Sequence, residues 1–333
     1  MSKKKRSKPK FTAEDWFNLG VDLAEKGQLE EALEAFSITA ELRPQDAAVW
    51  FNKGLALDEL GRINEALDCY KHATELDSNY IEAWNNLGTA YQELNRTEEA
   101  LQSFIRATRT RTKNRLDYAN AWYNRGVILA EFKRYDEALD CFIETLNVNP
   151  GDARAWYYRG VLHEQLTQFK DALTCYKKAT KLAPEHIDAW LDMGELLGKM
   201  GQVEEALRIF QRVISLEPQN TRAWYDKGVG LGMLQKYDEA VEAYLQAAKI
   251  NPHDALTLYN LGNTLARDLK RFEEALDIID RLLKTSPDHV NGIYLRGRIL
   301  IELKRPQEAQ ECFQRVLQLD PEYPYLQIDD SDA

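Results

Sequence analysis

The chain has 333 residues, of which 29% are charged, and a formal net charge of −11. This acidic balance argues against wrapping nucleic acid, which needs a net basic surface to release counterions. No apolar run approaches the ~20 residues that span a bilayer and no secretory signal is recognisable, so we expect a cytoplasmic protein without membrane or nucleic-acid partners.

The first predicted element is a basic tail, residues 1–12, in which six of the first ten residues are Lys or Arg. A segment this charged cannot be buried in a core, so we expect it to be disordered. In a nucleated cell the tail would suit a nuclear-import signal, whereas in a bacterium or archaeon it would be a solubilising tail. The sequence does not identify the host, and both interpretations stay open.

From residue 13 to 323 one helix-turn-helix repeat is written nine times. Each repeat contains a glycine, at Gly20, Gly54, Gly88, Gly126, Gly160, Gly194, Gly228, Gly262 and Gly297. The interval is 34 residues, except for 38 after the third glycine and 35 after the eighth. An alanine follows each glycine by twelve residues, thirteen in the eighth repeat, and a tryptophan precedes it by four in the first seven repeats. Self-similarity at this period predicts a solenoid whose repeats stack on their neighbours.

The second repeat illustrates the physical basis of the pattern. Trp50 and Leu57 recur at helical spacing in a first helix, and Ala66 and Tyr70 do so in a second. The small glycine and alanine columns mark places where two helices approach closely, because a larger side chain would force them apart. Neither helix can bury its apolar face alone, so stacking is obligatory.

These columns resemble those of the tetratricopeptide repeat family: aromatic, glycine, alanine, a second aromatic, then proline. The second aromatic column reads Phe36, Tyr70, Phe104, Phe142, Tyr176, Phe210, Tyr244, Ile279 and Phe313. The resemblance covers residues 13–323 and implies an all-α fold, a right-handed superhelical solenoid of nine repeats with a concave binding surface. The predicted repeats are 13–46, 47–80, 81–118, 119–152, 153–186, 187–220, 221–254, 255–289 and 290–323, followed by an acidic C-terminal tail, 324–333.

In this family the first helices line the concave wall, so side chains two residues before each glycine should point into the groove. That column reads Asn18, Asn52, Asn86, Asn124, Tyr158, Asp192, Asp226, Asn260 and Leu295. An asparagine amide both donates and accepts, so four successive asparagines can pair with the backbone of an extended peptide. The alternative is that these asparagines only cap local structure.

One residue earlier lies an aromatic column, in which we expect Tyr123, Tyr157, Tyr225 and Tyr259 to contact a peptide. Aromatic rings supply apolar contact area with little loss of side-chain entropy. The alternative is that they mainly pack between adjacent first helices.

The third repeat is four residues longer than the others, and its extra length falls around residues 110–116. The added segment is basic, with Arg109, Arg111, Lys113 and Arg115. Insertions in a solenoid form loops or helix extensions on one face, and we expect the second helix of this repeat to extend and then turn. The basic residues would contact an acidic partner or another subunit, unless they form only a solvated extension.

No catalytic or metal-binding pattern is recognisable in the sequence. The five histidines are scattered without metal-ligand spacing, and there is no phosphate loop or nucleophile elbow. All four cysteines lie fifteen residues after the glycine of their repeat, which predicts reduced, buried packing residues. We therefore predict no enzymatic activity, no cofactor and no metal.

The leading hypothesis is a non-enzymatic adaptor or scaffold that binds an extended peptide or helix of another protein in its concave groove. A second hypothesis is a regulatory subunit that recruits substrates for an enzyme on another chain. A third is a structural solenoid that assembles with itself. The sequence identifies no particular protein or peptide partner.

Overall fold

The structure is a computed structural model that describes residues 11–110 and 115–324. Residues 1–10 of the predicted basic tail, Arg111 and Lys113 of the insertion, and residues 325–333 of the acidic tail lie outside the described residues. The chain divides into two compact units, an N-terminal unit (Met1–Gln168) and a C-terminal unit (Phe169–Ala333).

Both units consist of helices, and in the described ranges every regular element is helical. In the N-terminal unit the helices are α1 (Ala13–Glu25), α2 (Leu29–Leu42), α3 (Ala47–Glu59), α4 (Ile63–Leu76), α5 (Ile81–Glu93), α6 (Thr97–Arg109), α7 (Arg115–Glu131), α8 (Tyr135–Val148) and α9 (Ala153–Gln165). In the C-terminal unit they are α10 (Phe169–Leu182), α11 (Ile187–Lys199), α12 (Val203–Leu216), α13 (Thr221–Met233), α14 (Tyr237–Ile250), α15 (Ala255–Asn263), a π turn (Thr264–Asp268), α16 (Phe272–Thr285), α17 (Val290–Glu302) and α18 (Pro306–Leu319). Within each unit consecutive helices pair into hairpins that stack on their neighbours, so the predicted all-α repeat fold is confirmed. No described helix combines the length and apolarity needed to cross a membrane.

The glycine column lies where the aromatic ring of the second helix meets the backbone of the first. A Cβ atom at Gly54 would lie 2.6 Å from Cε1 of Tyr70, and one at Gly88 would lie 2.5 Å from Cε1 of Phe104. Such distances are too short for carbon atoms, so only glycine admits the ring. Both rings are fully buried, so in these two hairpins the glycine and the second aromatic residue form one close contact.

The turn that follows each first helix contains a residue in the left-handed conformation. Three repeats use glycine, with φ between +72° and +77° at Gly27, Gly61 and Gly201. The other six use Asn95, Lys133, Thr167, Gln235, Lys270 and Lys304, with φ between +57° and +59°. This residue falls seven positions after the repeat glycine, except in repeat eight, where the π turn adds one residue before Lys270. The late alanine of repeat eight, Ala275, thus reflects an insertion inside a first helix.

In five repeats the tryptophan ties the first helix to the turn before it. The indole Nε1 of Trp50 donates to the carbonyl of Pro44 at 2.9 Å, and that of Trp156 donates to Pro150 at 3.0 Å. In repeat four the turn is displaced by the insertion, and the buried Nε1 of Trp122 has no hydrogen-bond partner in the described part of the chain.

The expectation that the second helix of repeat three would extend was wrong. That helix, α6, ends at Arg109, and Thr110 has extended backbone with ψ of 130°. The added turn belongs instead to α7, which has 17 residues where α5 has 13. The amide of Asn85 donates to the carbonyl of Asp117 at 3.0 Å, which fixes the added turn against α5.

The four cysteines are free and buried, as their column predicted. Burial raises the pKa of the Cys69 thiol to about 11 and that of Cys141 to about 12. These thiols therefore remain protonated at neutral pH, as expected of packing residues.

Candidate functional site

The candidate site is the inner wall, by which we mean the surface that the first helices of successive repeats form within each unit. In the N-terminal unit these helices are α1, α3, α5, α7 and α9, and in the C-terminal unit they are α11, α13, α15 and α17. Neighbouring first helices touch one another directly, as α5 does α7 and α11 does α13. Side chains at equivalent positions of adjacent repeats therefore lie beside each other.

The asparagines of the N-terminal unit lie at the surface of this wall. Asn18 is exposed, and Asn52, Asn86 and Asn124 are partly exposed. The Nδ2 atom of Asn52 donates to the Ala48 carbonyl at 2.8 Å, and the Asn86 amide bonds to the hydroxyl of Tyr70. Local hydrogen bonds of this kind are expected if the asparagines only cap local structure. An amide nitrogen carries two hydrogens, however, so one local bond does not exhaust its donors.

The aromatic column packs against the second helix of the same repeat. The rings of Tyr123 and Phe142 are 5.8 Å apart, and those of Tyr225 and Tyr244 are 5.9 Å apart. The predicted contact residues Tyr123, Tyr157, Tyr225 and Tyr259 are all half-buried. Part of each ring is therefore buried by packing, and the other part is exposed on the inner wall. The guanidinium of Arg154 covers Tyr123, 4.5 Å from the ring centre.

In the C-terminal unit the same wall is charged. Asp192 on α11 and Asp226 on α13 take the place of the asparagines, and Glu195 lies beside them. Arg222 binds two of these acids: its Nη2 is 2.7 Å from Asp192 Oδ1, and its Nε is 2.8 Å from Glu195 Oε1. The Oδ2 atom of Asp226 is 3.8 Å from Arg222 Nε and accepts no hydrogen bond from the described part of the chain.

Asp226 is far more buried than the column position predicted. The residue is only 8% exposed. Burial raises the pKa of its carboxyl to about 7; the neighbouring Glu195 adds to this rise, and Arg222 opposes it. Keeping a carboxylate away from water without a hydrogen-bond donor costs free energy, so the ionised form of Asp226 is unfavourable at this position.

Asp226 is one of the residues that line a cavity between α11 and α13, closed on one side by α12, which we call the acidic cavity, with a volume of about 240 Å³. Its lining includes Glu195, Gly198, Lys199, Asp226, Gly230 and Met233. The sequence prediction named Asp226 but missed the other five. Part of their signal was present, because glycines at 198 and 230 interrupt the first helices of repeats six and seven.

A second cavity, of about 190 Å³, lies between the π turn and α17. This cationic cavity is lined by Tyr259, Asn263, Arg267, Lys270, Tyr294 and Arg298, among others. Arg267 pairs with Asp268 at 3.0 Å, and Arg298 Nη1 is 3.3 Å from the hydroxyl of Tyr294. The predicted groove residue Asn260 is engaged nearby, since its Nδ2 donates to the hydroxyl of Tyr225 at 3.0 Å.

The basic residues of the insertion that the structure describes, Arg109 and Arg115, are exposed to solvent. They lie at the end of a second helix and the start of a first helix, on either side of the residues outside the description. Neither Arg109 nor Arg115 lines one of these cavities of the described residues.

Family models match nearly the whole repeat region. Five models described as tetratricopeptide repeat match residues 13–46, 85–142, 117–185, 165–226 and 261–333, and one described as TPR repeat matches 58–95 and 233–268. A comparison with curated protein sequences gave no match.

Known structures share the fold at low sequence identity. Pseudomonas aeruginosa pilF is 18% identical, with a TM-score of 0.55, over 63% of this chain and 94% of that one. A tetratricopeptide repeat protein from Parabacteroides merdae is 20% identical, with a TM-score of 0.53, over 76% of this chain and 98% of that one. At such identities the likeness concerns the fold alone.

Proposed function

Because the chain belongs to the tetratricopeptide repeat family, we propose that it is a non-enzymatic adaptor that holds an extended segment of another protein on its inner wall. Interaction between proteins is the general role of such repeats. The peptide-binding part of the proposal rests on the side chains of the wall.

The observation that carries this proposal is the recurrence of Asn52, Asn86 and Asn124 on three successive first helices, of which α5 and α7 contact each other. Amides at a repeating interval suit the repeating N–H and C=O groups of an extended backbone. Half-buried rings such as Tyr123 add apolar area next to them. Backbone recognition of this kind tolerates many side-chain sequences, as befits an adaptor.

Site-specific photocrosslinking of the full chain in extract of its native host tests the proposal. A benzoylphenylalanine replaces Thr89, which is exposed on the first helix α5, and in a matched protein it replaces Gln102, which is exposed on the second helix α6. We expect adducts with another protein from position 89 and few from position 102. Adducts from position 102 alone would move the site to the outer helices, and adducts of the chain with itself at position 89 would favour self-assembly.

A variant with Asn52, Asn86 and Asn124 all replaced by Ala tests the amides. Each hydrogen bond contributes about 0.5–1.5 kcal/mol net, so three predict a loss of affinity of roughly ten-fold to a thousand-fold. Titration calorimetry with a peptide from the captured protein measures this loss. Full affinity in the triple variant would contradict the role of the amides.

The basic insertion is tested in the same assay. Charge reversal at Arg109 and Arg115 should leave crosslinking at position 89 unchanged if these exposed residues are a solvated extension. Loss of the adduct would instead assign them to contact with an acidic partner.

A further inference from the structure

We propose that the acidic cavity between α11 and α13 is a subsite for a single arginine side chain of the bound segment. The inference deepens the proposed function, since it names one residue type that the C-terminal unit selects. It draws on three features of repeats six and seven: their glycines, their acids and the surroundings of Asp226.

The cavity is open at one wall because Gly198 stands where a side chain would otherwise project. Four residues after the repeat glycine lie Gly198 and Gly232, where the other repeats carry Ala24, Asp58, Gln92, Ala130, Glu164, Ala266 and Ile301. Two residues after the repeat glycine lies Gly230. Glycine inside a helix is unfavourable relative to alanine, so three in two adjacent first helices come at the expense of stability. A Cβ atom at Gly198 would meet nothing within 4 Å, so packing does not require this glycine.

The same two repeats concentrate the acids. Asp occupies the groove column only at Asp192 and Asp226, and Glu195 stands where repeat seven has Val229. Open space and negative charge thus coincide in repeats six and seven. Contact with water alone would explain the charged side chains of this wall, but it would not explain the open space beside them.

The surroundings of Asp226 favour a cation that comes from outside. Three carboxylates face two cations, Arg222 and the cavity-lining Lys199; Arg222 hydrogen-bonds to Asp192 and Glu195, and no described residue donates to Oδ2 of Asp226. This buried atom belongs to a residue that lines the cavity. A donor entering the cavity would supply the missing hydrogen bond and compensate the excess negative charge.

The shape of the site selects arginine among cations. Its planar guanidinium carries several donors and can bond to Asp226 and Glu195 together, while its aliphatic stem packs on Met233 and Val229, which also line the cavity. A metal ion fits less well, because nowhere in the described residues are three His, Cys, Asp or Glu side chains arranged to hold one.

The test uses the full chain labelled with ¹³C at its methionine methyl groups. Met233 lines the cavity and is 55% exposed, whereas Met193 is buried and serves as an internal reference. The probe is the capped peptide glycine-glycine-arginine-glycine-glycine, and its control carries citrulline, which has nearly the same shape and no charge. We expect a saturable shift of the Met233 signal with the arginine peptide and at least ~10-fold weaker binding of the citrulline peptide. A lysine peptide should fall between the two.

Three variants separate binding from folding. Asp226→Asn removes the buried charge and should weaken the arginine peptide to the level of the citrulline peptide. Gly198→Leu fills the space with a side chain that the helix favours, so it should abolish the response without lowering the melting temperature. Asp238→Asn makes the same chemical change on α14, where the side chain is 82% exposed, and should bind as the parent does.

Equal affinity for the arginine and citrulline peptides, an unchanged response in Asp226→Asn, or no response of Met233 to either peptide would each overturn the inference. None of these results bears on crosslinking at position 89 in the N-terminal unit, which judges the proposed function separately. Binding of both peptides with equal affinity would leave an inner wall that recognises peptide backbone without selecting for charge.

Discussion

The inner walls of the two units use the same repeat to present different chemistry. In the N-terminal unit the groove column offers amides, at Asn52, Asn86 and Asn124, and an aromatic surface beside them. In the C-terminal unit the column offers Asp192 and Asp226 around an acidic cavity, and the wall of repeats eight and nine carries a cationic one. One wall suits recognition of backbone, and the other suits recognition of charged side chains.

The contrast separates the positions that make the fold from those that can vary. Gly88 meets the ring of Phe104 in the N-terminal unit, and Gly194 meets the ring of Phe210 in the C-terminal unit, in both cases with 2.5 Å from a Cβ atom to the ring. These contacts are the same in both units. The positions two before and four after the glycine differ between these helices, with Asn86 and Gln92 on α5 but Asp192 and Gly198 on α11, so they can change what the wall recognises.

The largest effect on the free energy of unfolding is expected for Asp226→Asn, which places in the C-terminal unit the amide side chain that the N-terminal unit has in this column. The folded pKa of Asp226 is raised to about 7 from 3.8, so the folded state holds its proton more tightly than the unfolded chain does. Stability that is present below pH 4 is therefore lost as the pH rises towards 7, by up to about 4 kcal/mol. We expect the variant to be more stable than the parent at pH 8 and equal to it at pH 4.

Urea denaturation of both proteins at a series of pH values measures this difference. Asp238→Asn serves as the control, since its exposed side chain should leave the pH dependence unchanged. Parallel pH profiles for the parent and Asp226→Asn would show that the Asp226 carboxyl is not strained by burial.

The next largest effect on stability tests whether the contact between the repeat glycine and the ring stabilises both units. Gly88→Ala and Gly194→Ala should each cost about 1–3 kcal/mol, because the added methyl group overlaps a buried ring. Gly198→Ala, on the same helix as Gly194, should instead stabilise by about 1 kcal/mol, because the helix gains and nothing is displaced. Thermal unfolding of the three variants gives the comparison, and a loss of stability in Gly198→Ala would mean that its space is already filled.

A smaller effect is expected from the triple alanine variant at Asn52, Asn86 and Asn124. Local hydrogen bonds such as Asn52 to Ala48 are lost, but alanine has the higher helix propensity, so stability should change by less than about 1 kcal/mol. Chemical denaturation in parallel with the binding assay checks this. A large destabilisation would instead support the view that these asparagines serve local structure.

The smallest effect is expected at the cationic cavity. The side chain of Arg267 is 69% exposed in its pair with Asp268, so Arg267→Ala should cost between ~0 and ~1 kcal/mol. Melting curves at low and high salt should bring parent and variant together as screening increases. A difference that persists at high salt would indicate that Arg267 contributes by packing.

The sequence predicted the packing of the helices well, because this packing depends on side-chain volume. Glycine, alanine and aromatic columns report close helix contacts wherever they recur, and the cysteine column reported burial in the same way. The insertion of repeat three was visible as four extra residues, but which helix gained them depends on the stop at Thr110 and the bond from Asn85 to Asp117. Such tertiary contacts leave no periodic signal.

The candidate site was predicted less completely than the packing of the helices. The groove column named Asp192 and Asp226 as positions facing a ligand, yet it gave no sign that Asp226 is buried beside a cavity. Burial there arises from the packing of α11 against α13, which a column of letters does not contain. The π turn was foreshadowed only by the late Ala275, since one extra residue can be absorbed by a loop or by a helix.

The buried thiols make the protein a reporter of its own local unfolding. Cys69, Cys141, Cys175 and Cys312 lie in repeats two, four, five and nine, and all four are enclosed by packing. The cysteine thiolate attacks a thiol reagent only when the sulfur is accessible, so each cysteine can react only after its repeat has opened. The four rates of modification in the native protein therefore measure four local opening equilibria without a single added label. A ligand that grips the wall of one unit would slow the reaction in that unit first.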